Sequence, residues 1–166
     1  LYVYGGSGPF LASKYSTDGS LLWTFNGFVP SISWSSNEVD DYSSNFIVDK
    51  LTSKMYIGQG FAYDGAKIIR LNSNGIYDNF VSTPVFNWQE VWDMGYRCSD
   101  GAIFGIGGST QSNLSSGILN TTTGIINPKN FSGNGATQQD VVCQTIDASG
   151  NVFLLFSSAI SALVDN

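Results

Sequence analysis

Apolar and polar positions along this chain alternate in short runs, and the same runs return about every fifty residues. The middle repeat reads Met55-Tyr56-Ile57-Gly58, then Lys67-Ile68-Ile69-Arg70-Leu71-Asn72-Ser73-Asn74-Gly75, then Asp78-Asn79-Phe80. An earlier one reads Leu1-Tyr2-Val3-Tyr4-Gly5, Ala12 to Gly19, and Trp23-Thr24-Phe25. A later one reads Ala102-Ile103-Phe104-Gly105, Ile118 to Gly124, and Asn130-Phe131. A fourth opens with Gly150-Asn151-Val152-Phe153-Leu154. The runs are β-branched or aromatic, which suits a pleated, packed surface. Asp18-Gly19 and Asn74-Gly75 sit between apolar runs, the strongest short-range hairpin signal, and Thr123-Gly124 takes the same place in the third repeat. No window of helical length carries an apolar stripe that outcompetes this alternation, so almost no helix is expected.

The anchors measure the period. The first-strand aromatic falls at Tyr2, Tyr56, Phe104 and Phe153, in steps of 54, 48 and 49. The turn glycine falls at Gly19, Gly75 and Gly124, in steps of 56 and 49. Strands of constant length joined by loops of unequal length produce this scatter. Four short strands in such a period predict an all-β chain of β-propeller blades, each of four antiparallel strands. The blades expected are 1–52, 53–99, 100–148 and a partial 149–166, roughly three and a third in all. Propellers need about four blades to close. The expectation is therefore an open or incomplete propeller. Leu1 and Asn166 both fall inside repeat strands, which makes the chain read as a piece of something longer.

Composition narrows the partners. The 166 residues carry 12% charged and 14% aromatic side chains, with 7 basic residues, 13 acidic residues and no histidine. The net charge of −6 and the lack of a basic stripe argue against nucleic acid. No apolar run approaches 18 residues, so no membrane insertion is expected. A surface built on Ser, Thr, Asn and Gly resembles that of extracellular and virion β-proteins. Cys98 and Cys143 fall in neighbouring repeats and could bridge in an oxidising compartment, but their unequal distances from the next glycine oppose this, and free, buried thiols are the favoured reading.

The phrase from Lys67 to Phe80 resembles the delta-60 repeat family of β-propeller proteins, in which a strand ending in Arg-Leu leads into Asn, a Gly turn, an Asp and a Phe. Asp100-Gly101-Ala102-Ile103-Phe104-Gly105-Ile106-Gly107-Gly108 resembles the opening of the next repeat in that family. The match covers nearly the whole chain and is best in the second repeat. Arg70 becomes Lys14 in the first repeat and, counting back from the turn glycine, Leu119 in the third. The resemblance implies a large secreted or surface protein of bacteria, or a viral tail appendage, with no catalytic residues assigned to the repeat.

Candidate chemistry is sparse. Without histidine, a Ser-His-Asp or Cys-His nucleophile cannot be built. Glu38, Asp40 and Asp41 form the acidic cluster, which could hold a calcium ion or simply be a solvated loop leading into Phe46-Ile47-Val48. Asp18, Asp49, Asp100 and Asp147 fall in or beside turns, where carboxylates bond local backbone, and are read as structural. Trp34, Trp88 and Trp92 fall between the last strand of one repeat and the first of the next. There they could stack on a glycan, anchor a protein partner or fill the space between blades.

These readings converge on a non-enzymatic structural or binding module of a large exported surface protein or viral tail appendage. The alternative is a carbohydrate-binding module using the loop tryptophans; a hydrolase using carboxylates near Glu38 to Asp41 and Glu90 ranks below both. No cofactor is expected. The expected partners are other segments of the same polypeptide or neighbouring subunits, with a glycan as a further candidate. The expected location is extracellular, at the cell surface, or on a virion.

Overall fold

Alternation of large apolar and small polar residues in runs of three to seven produces strands, and tight polar turns fold each strand back on the last. The computed structural model describes residues 1–4, 12–26, 29, 45–59, 67–82, 90–108, 115–130, 141–147, 149 and 151–156. The described residues hold no helix. The strands are β1 (Tyr2–Tyr4), β2 (Ala12–Tyr15), β3 (Leu21–Phe25), β4 (Asn45–Val48), β5 (Met55–Gln59), β6 (Lys67–Leu71), β7 (Tyr77–Ser82), β8 (Glu90–Tyr96), β9 (Ile103–Gly108), β10 (Ser115–Leu119), β11 (Ile126–Asn130), β12 (Val141–Ile146) and β13 (Val152–Phe156). They form antiparallel meanders: a first sheet β1-β2-β3, a second β4-β5-β6-β7, a third β8-β9-β10-β11, and a pair β12-β13. Among the described residues no sheet closes on itself. Pro128, which lacks an N–H, sits on the edge strand β11.

The sheets begin one strand earlier than the repeated motif. Tyr56 lies in β5, Phe104 in β9 and Phe153 in β13, each the second strand of its sheet. The segment 53–99 thus holds three strands of one sheet and the first strand of the next. The first strands β4, β8 and β12 share no residue pattern that would have marked them.

The turns after the second strand of each repeat motif (β2–β3, β6–β7 and β10–β11) close with the same backbone bond. Ser16, Asn72 and Asn120 open them, and their amides bond to the carbonyls of Ser20, Ile76 and Ile125 at 2.9, 2.8 and 2.8 Å. Gly19, Gly75 and Gly124 take φ of +86°, +77° and +75°, where a Cβ is strained. Asn72 Oδ1 accepts from the amides of Asn74 and Ile76, and Asn120 Oδ1 from those of Thr122 and Thr123. The third turn is one residue longer than the second. Strand pairing consequently places Ile118, and not Leu119, at the position of Arg70: Tyr56 faces Arg70 and Phe104 faces Ile118. Counting back from the glycine misses this because the extra residue lies inside the turn.

Two apolar clusters hold the sheets together. Ala12, Phe25, Val29, Met55, Ile57, Ile69 and Leu71 fill the space between the first and second sheets. Tyr56, Ile68, Phe80, Val91, Met94, Ile103, Leu119 and Ile126 fill the space between the second and third. The second sheet is therefore buried on both faces, which explains why Met55-Tyr56-Ile57 and Ile68-Ile69 are continuous apolar runs. Each such side chain stabilises by roughly 1.5–3 kcal/mol when fully buried, so the sheet-to-sheet faces dominate cohesion. The sheets approach most closely at their first strands: β4 lies beside β8, and β8 beside β12.

Candidate functional site

Arg70 stands at the centre of the most highly connected polar site among the described residues. It sits in β6 opposite Tyr56 of β5. Across from it β7 bulges, because Ile69 pairs with Val81 and Leu71 with Tyr77. The bulge places Asn79 at φ +61°, a conformation Asn tolerates better than most residues, and aims Asp78 back at β6. Arg70 Nε donates to Asp78 Oδ2 at 2.7 Å, and Nη1 donates to the carbonyl of Thr121 at 2.6 Å. The guanidinium lies 4.2 Å from the Phe80 ring centroid and 5.9 Å from that of Tyr56. Lys54 Nζ lies 3.7 Å from the same Asp78 oxygen.

Burial works against the charge of Arg70, but the Asp78 carboxylate and the Tyr56 hydroxyl outweigh it and raise its pKa. Burial likewise raises the Tyr56 phenol. Every component is locked by a neighbour, and none is a nucleophile beside a base. The arrangement is a clamp joining the second sheet to the β10–β11 turn of the third. Asp78 Oδ1 is buried and has no hydrogen-bond partner among the described residues.

The first and second sheets meet in the same way. Trp23 Nε1 donates to the Ser73 carbonyl at 3.1 Å. Ser73 follows Asn72 as Thr121 follows Asn120, so the two carbonyls are equivalent. The Trp23 ring lies against Gly75 so closely that a Cβ there would sit 2.4 Å from it. At Gly124 a Cβ would meet the Val81 carbonyl oxygen at 3.0 Å, and the Ser82 hydroxyl donates to the Gly124 carbonyl. A cation over the aromatic of the motif's first strand also recurs: Lys14 over Tyr2 at 5.2 Å, Arg70 over Tyr56, and in the third sheet Arg97 over Phe104 at 5.1 Å. Where Ile118 cannot supply the charge, the adjacent strand end does.

The turns between first and second strands make a smaller polar contact. Asp49 Oδ1 accepts from the Leu51 amide at 2.9 Å and from the Tyr96 hydroxyl at 3.3 Å, and Thr52 donates to Oδ2. Burial disfavours the Asp49 carboxylate, yet the bonds from Thr52, Leu51 and Tyr96 hold its pKa below the usual range. Arg97 and Asp100 pair within the next turn at 2.6 Å, and the Arg97 guanidinium lowers the Asp100 carboxyl to about 2. Asp18 and Asp147 bond local amides as expected. The structural reading of these turn aspartates thus agrees with the geometry.

Of the residues expected to bind a ligand, Trp34 and Trp88 lie outside the described residues, as do Glu38, Asp40 and Asp41. Only the backbone of Trp92 is described, and it corrects one expectation. Trp92 is not in a connection; it is within β8, at a bulge where Val91 pairs with Gly107 and Asp93 with Ile106. The cause is the early start of the sheet, whose first strand occupies what the motif leaves as a linker. Cys98 corrects another: it is free but exposed, because it lies in the β8–β9 turn, with Lys50 Nζ 3.5 Å from its sulfur. The side chain of Cys143 lies outside the described residues. Among the described residues no group of three or more His, Cys, Asp or Glu side chains could hold a metal ion.

The Arg70 clamp escaped sequence reasoning, although Lys14 at the same place in the first repeat was a usable signal. No protein-family model and no curated protein matches the chain.

Proposed function

We propose that this chain is part of a β-propeller that acts as a non-enzymatic structural and binding module, located outside the cell or on a virion. The observation that carries the architecture is a contact used twice. The β6–β7 and β10–β11 turns each receive, from the sheet before, a side-chain donor on the same carbonyl and a close contact against the same glycine. A repeated contact of this kind relates each sheet to the next by the same step, and the nearness of β4 to β8 and of β8 to β12 supports reading that step as a rotation about the first strands. Blades around an axis present rigid turns and loops, and affinity then comes from what those loops touch. The delta-60 resemblance is in line with this reading. So is the chemistry of the described polar groups, which are spent on closing turns and on holding sheets together. The low charge and the missing histidine favour a scaffold over a hydrolase.

Spin-label distances test the architecture. In a cysteine-free background, one label pair goes on Leu51 and Ser99, in turns next to the first strands. A second pair goes on Ile76 and Ile125, in turns next to the outer strands. A fan about an axis requires the Leu51–Ser99 separation to be the shorter; equal separations describe a flat stack and overturn the propeller. A glycan array and a panel of chromogenic glycosides test the activity. No binding and no turnover are expected. A glycan signal lost in Trp88→Ala would establish the carbohydrate-binding alternative, and turnover lost in Glu90→Gln would establish the hydrolase.

A further inference from the structure

Asn74-Gly75 closes the β6–β7 turn. Asn followed by Gly is the pair most prone to form a cyclic imide, because no side chain hinders the glycine nitrogen. Asn74 is exposed to water. The fold, however, holds the reactive atoms in place. The Gly75 amide donates to the Asn72 carbonyl at 2.9 Å, and Gly75 is fixed at φ +77°. Trp23 of the first sheet closes the other side. Its ring lies 2.4 Å from where a Gly75 Cβ would stand, and its Nε1 donates to the Ser73 carbonyl at 3.1 Å. Turning the Gly75 amide toward the Asn74 side chain breaks the bond to Asn72 and shifts a glycine on which the indole is packed.

We propose that Asn74 is a deamidation site gated by Trp23, and that its isoaspartyl product stops the junction between the first and second sheets from closing again. The Gly75 nitrogen attacks Asn74 Cγ, the Cγ–Nδ2 bond breaks, and ammonia leaves with the Gly75 amide proton. Water then opens the imide. Addition at Cγ gives aspartate; addition at the Asn74 main-chain carbonyl carbon gives isoaspartate. Water is the co-reactant, and no electrons change hands. The proposal needs only the contact between two sheets and is independent of the propeller reading.

The equivalent turn of the first sheet separates the two products. Asp18 stands where Asn74 does and accepts from the Ser20 amide at 3.1 Å, and the turn closes through the Gly19–Ser16 and Ser16–Ser20 backbone bonds. An ordinary aspartate at position 74 therefore suits the turn. Isoaspartate routes the main chain through Cβ and Cγ and makes it one atom longer just before Gly75. The lengthened turn cannot keep both the Gly75–Asn72 bond and the fit of Gly75 against Trp23.

Ageing the chain at mildly alkaline pH, folded and in urea, is the test. Trypsin releases residues 71–97, which hold a single Asn-Gly pair, and mass spectrometry of that fragment reads the exchange of amide for carboxylate. An isoaspartyl methyltransferase distinguishes isoaspartate from aspartate. Conversion at Asn74 is expected in the folded chain, at least about tenfold slower than in urea and mainly to isoaspartate. Trp23→Phe keeps a flat ring but loses the donor to Ser73, and should speed folded conversion at least about twofold. Isoaspartyl chains, separated by their extra negative charge, should unfold at lower urea than Asn74→Asp, which should hold the wild-type midpoint.

A folded chain that stays unmodified, or converts as fast as in urea, overturns the proposal. So does a folded Trp23→Phe variant that ages at the wild-type rate, or an isoaspartyl chain with the wild-type midpoint. Amide exchange in β5 and β6 shows whether Trp23→Phe is folded. If it is not, the wild-type comparison of folded with unfolded chain and the isoaspartyl midpoint decide the matter without it.

Discussion

Arg70 of the second sheet donates to the Thr121 carbonyl of the third at 2.6 Å, a contact between residues 51 positions apart in the chain. Trp23 makes the same reach from the first sheet to Ser73 of the second, 50 positions on. An indole and a guanidinium differ in charge and shape, but both offer a planar N–H and a flat face. The flat face covers apolar surface while the N–H satisfies a turn carbonyl.

Arg70→Ala should destabilise the chain by about 2–4 kcal/mol, because it strands a partly buried carboxylate and frees the Thr121 carbonyl. The urea midpoint measures this. Arg70→Lys should recover less than half, since an ammonium cannot serve two acceptors in the plane of the guanidinium. Adding Asp78→Ala to Arg70→Ala should cost little more. A large additional loss would mean that Asp78 has a role beyond this pair.

Gly75→Ala and Gly19→Ala make the same chemical change in equivalent turns. Both incur the left-handed backbone penalty of about 1–2 kcal/mol. Only at Gly75 must the new methyl displace Trp23, a further cost of about 1–3 kcal/mol. Unfolding midpoints should rank wild type above Gly19→Ala and Gly19→Ala above Gly75→Ala. Equal losses would show that Trp23 does not hold its place against the turn.

Ser53 sits at φ +56° where the corresponding turn of the next sheet has Gly101 at +74°. Their amides bond to the equivalent carbonyls of Asp49 and Arg97, both at 2.8 Å. Ser53→Gly relieves left-handed strain and loses some unfolded-state restriction, for a net gain of about 0.5–1 kcal/mol. Thermal unfolding reads the outcome, and a lower midpoint would refute it.

Acid should weaken the fold in one window. Asp18, Asp49 and Asp100 all have folded pKa values below the unfolded value of about 3.9. Their contribution is complete above that value and is lost as pH falls through the folded pKa, which for Asp100 is about 2. The urea midpoint should be level from about pH 5 to 8, where no histidine titrates, and should fall between about pH 4 and 2. Asp100→Asn should flatten part of that fall. A decline that begins near pH 6 would point to a different titrating group.

The turns and strands were legible because each is a local decision. Gly19, Gly75 and Gly124 advertise a left-handed residue between apolar runs, and all three adopt it. The turn aspartates were legible for the same reason, since a short carboxylate bonds the amides two to four residues onward. The opening strands β4, β8 and β12 were harder. They are made of ordinary strand residues without a shared motif, so Trp92 read as a linker although it lies in β8. Cys98 read as core because cysteine usually is, but a turn that follows an unrecognised strand places it at the surface. The extra residue in the third turn hid that Ile118 stands where Arg70 does.

Strand chemistry and turn conformation follow from residues within a few positions of one another, and the repeat period from comparing such stretches, so reading along the chain suffices for all three. Which face meets which neighbour does not. The Trp23–Ser73 and Arg70–Thr121 contacts join residues about fifty positions apart. They exist because one sheet is placed at a particular angle on the next, and that angle comes from the shapes of two buried clusters filled from both sides. Close packing of many side chains at once sets such an angle, and no short stretch of the chain encodes it.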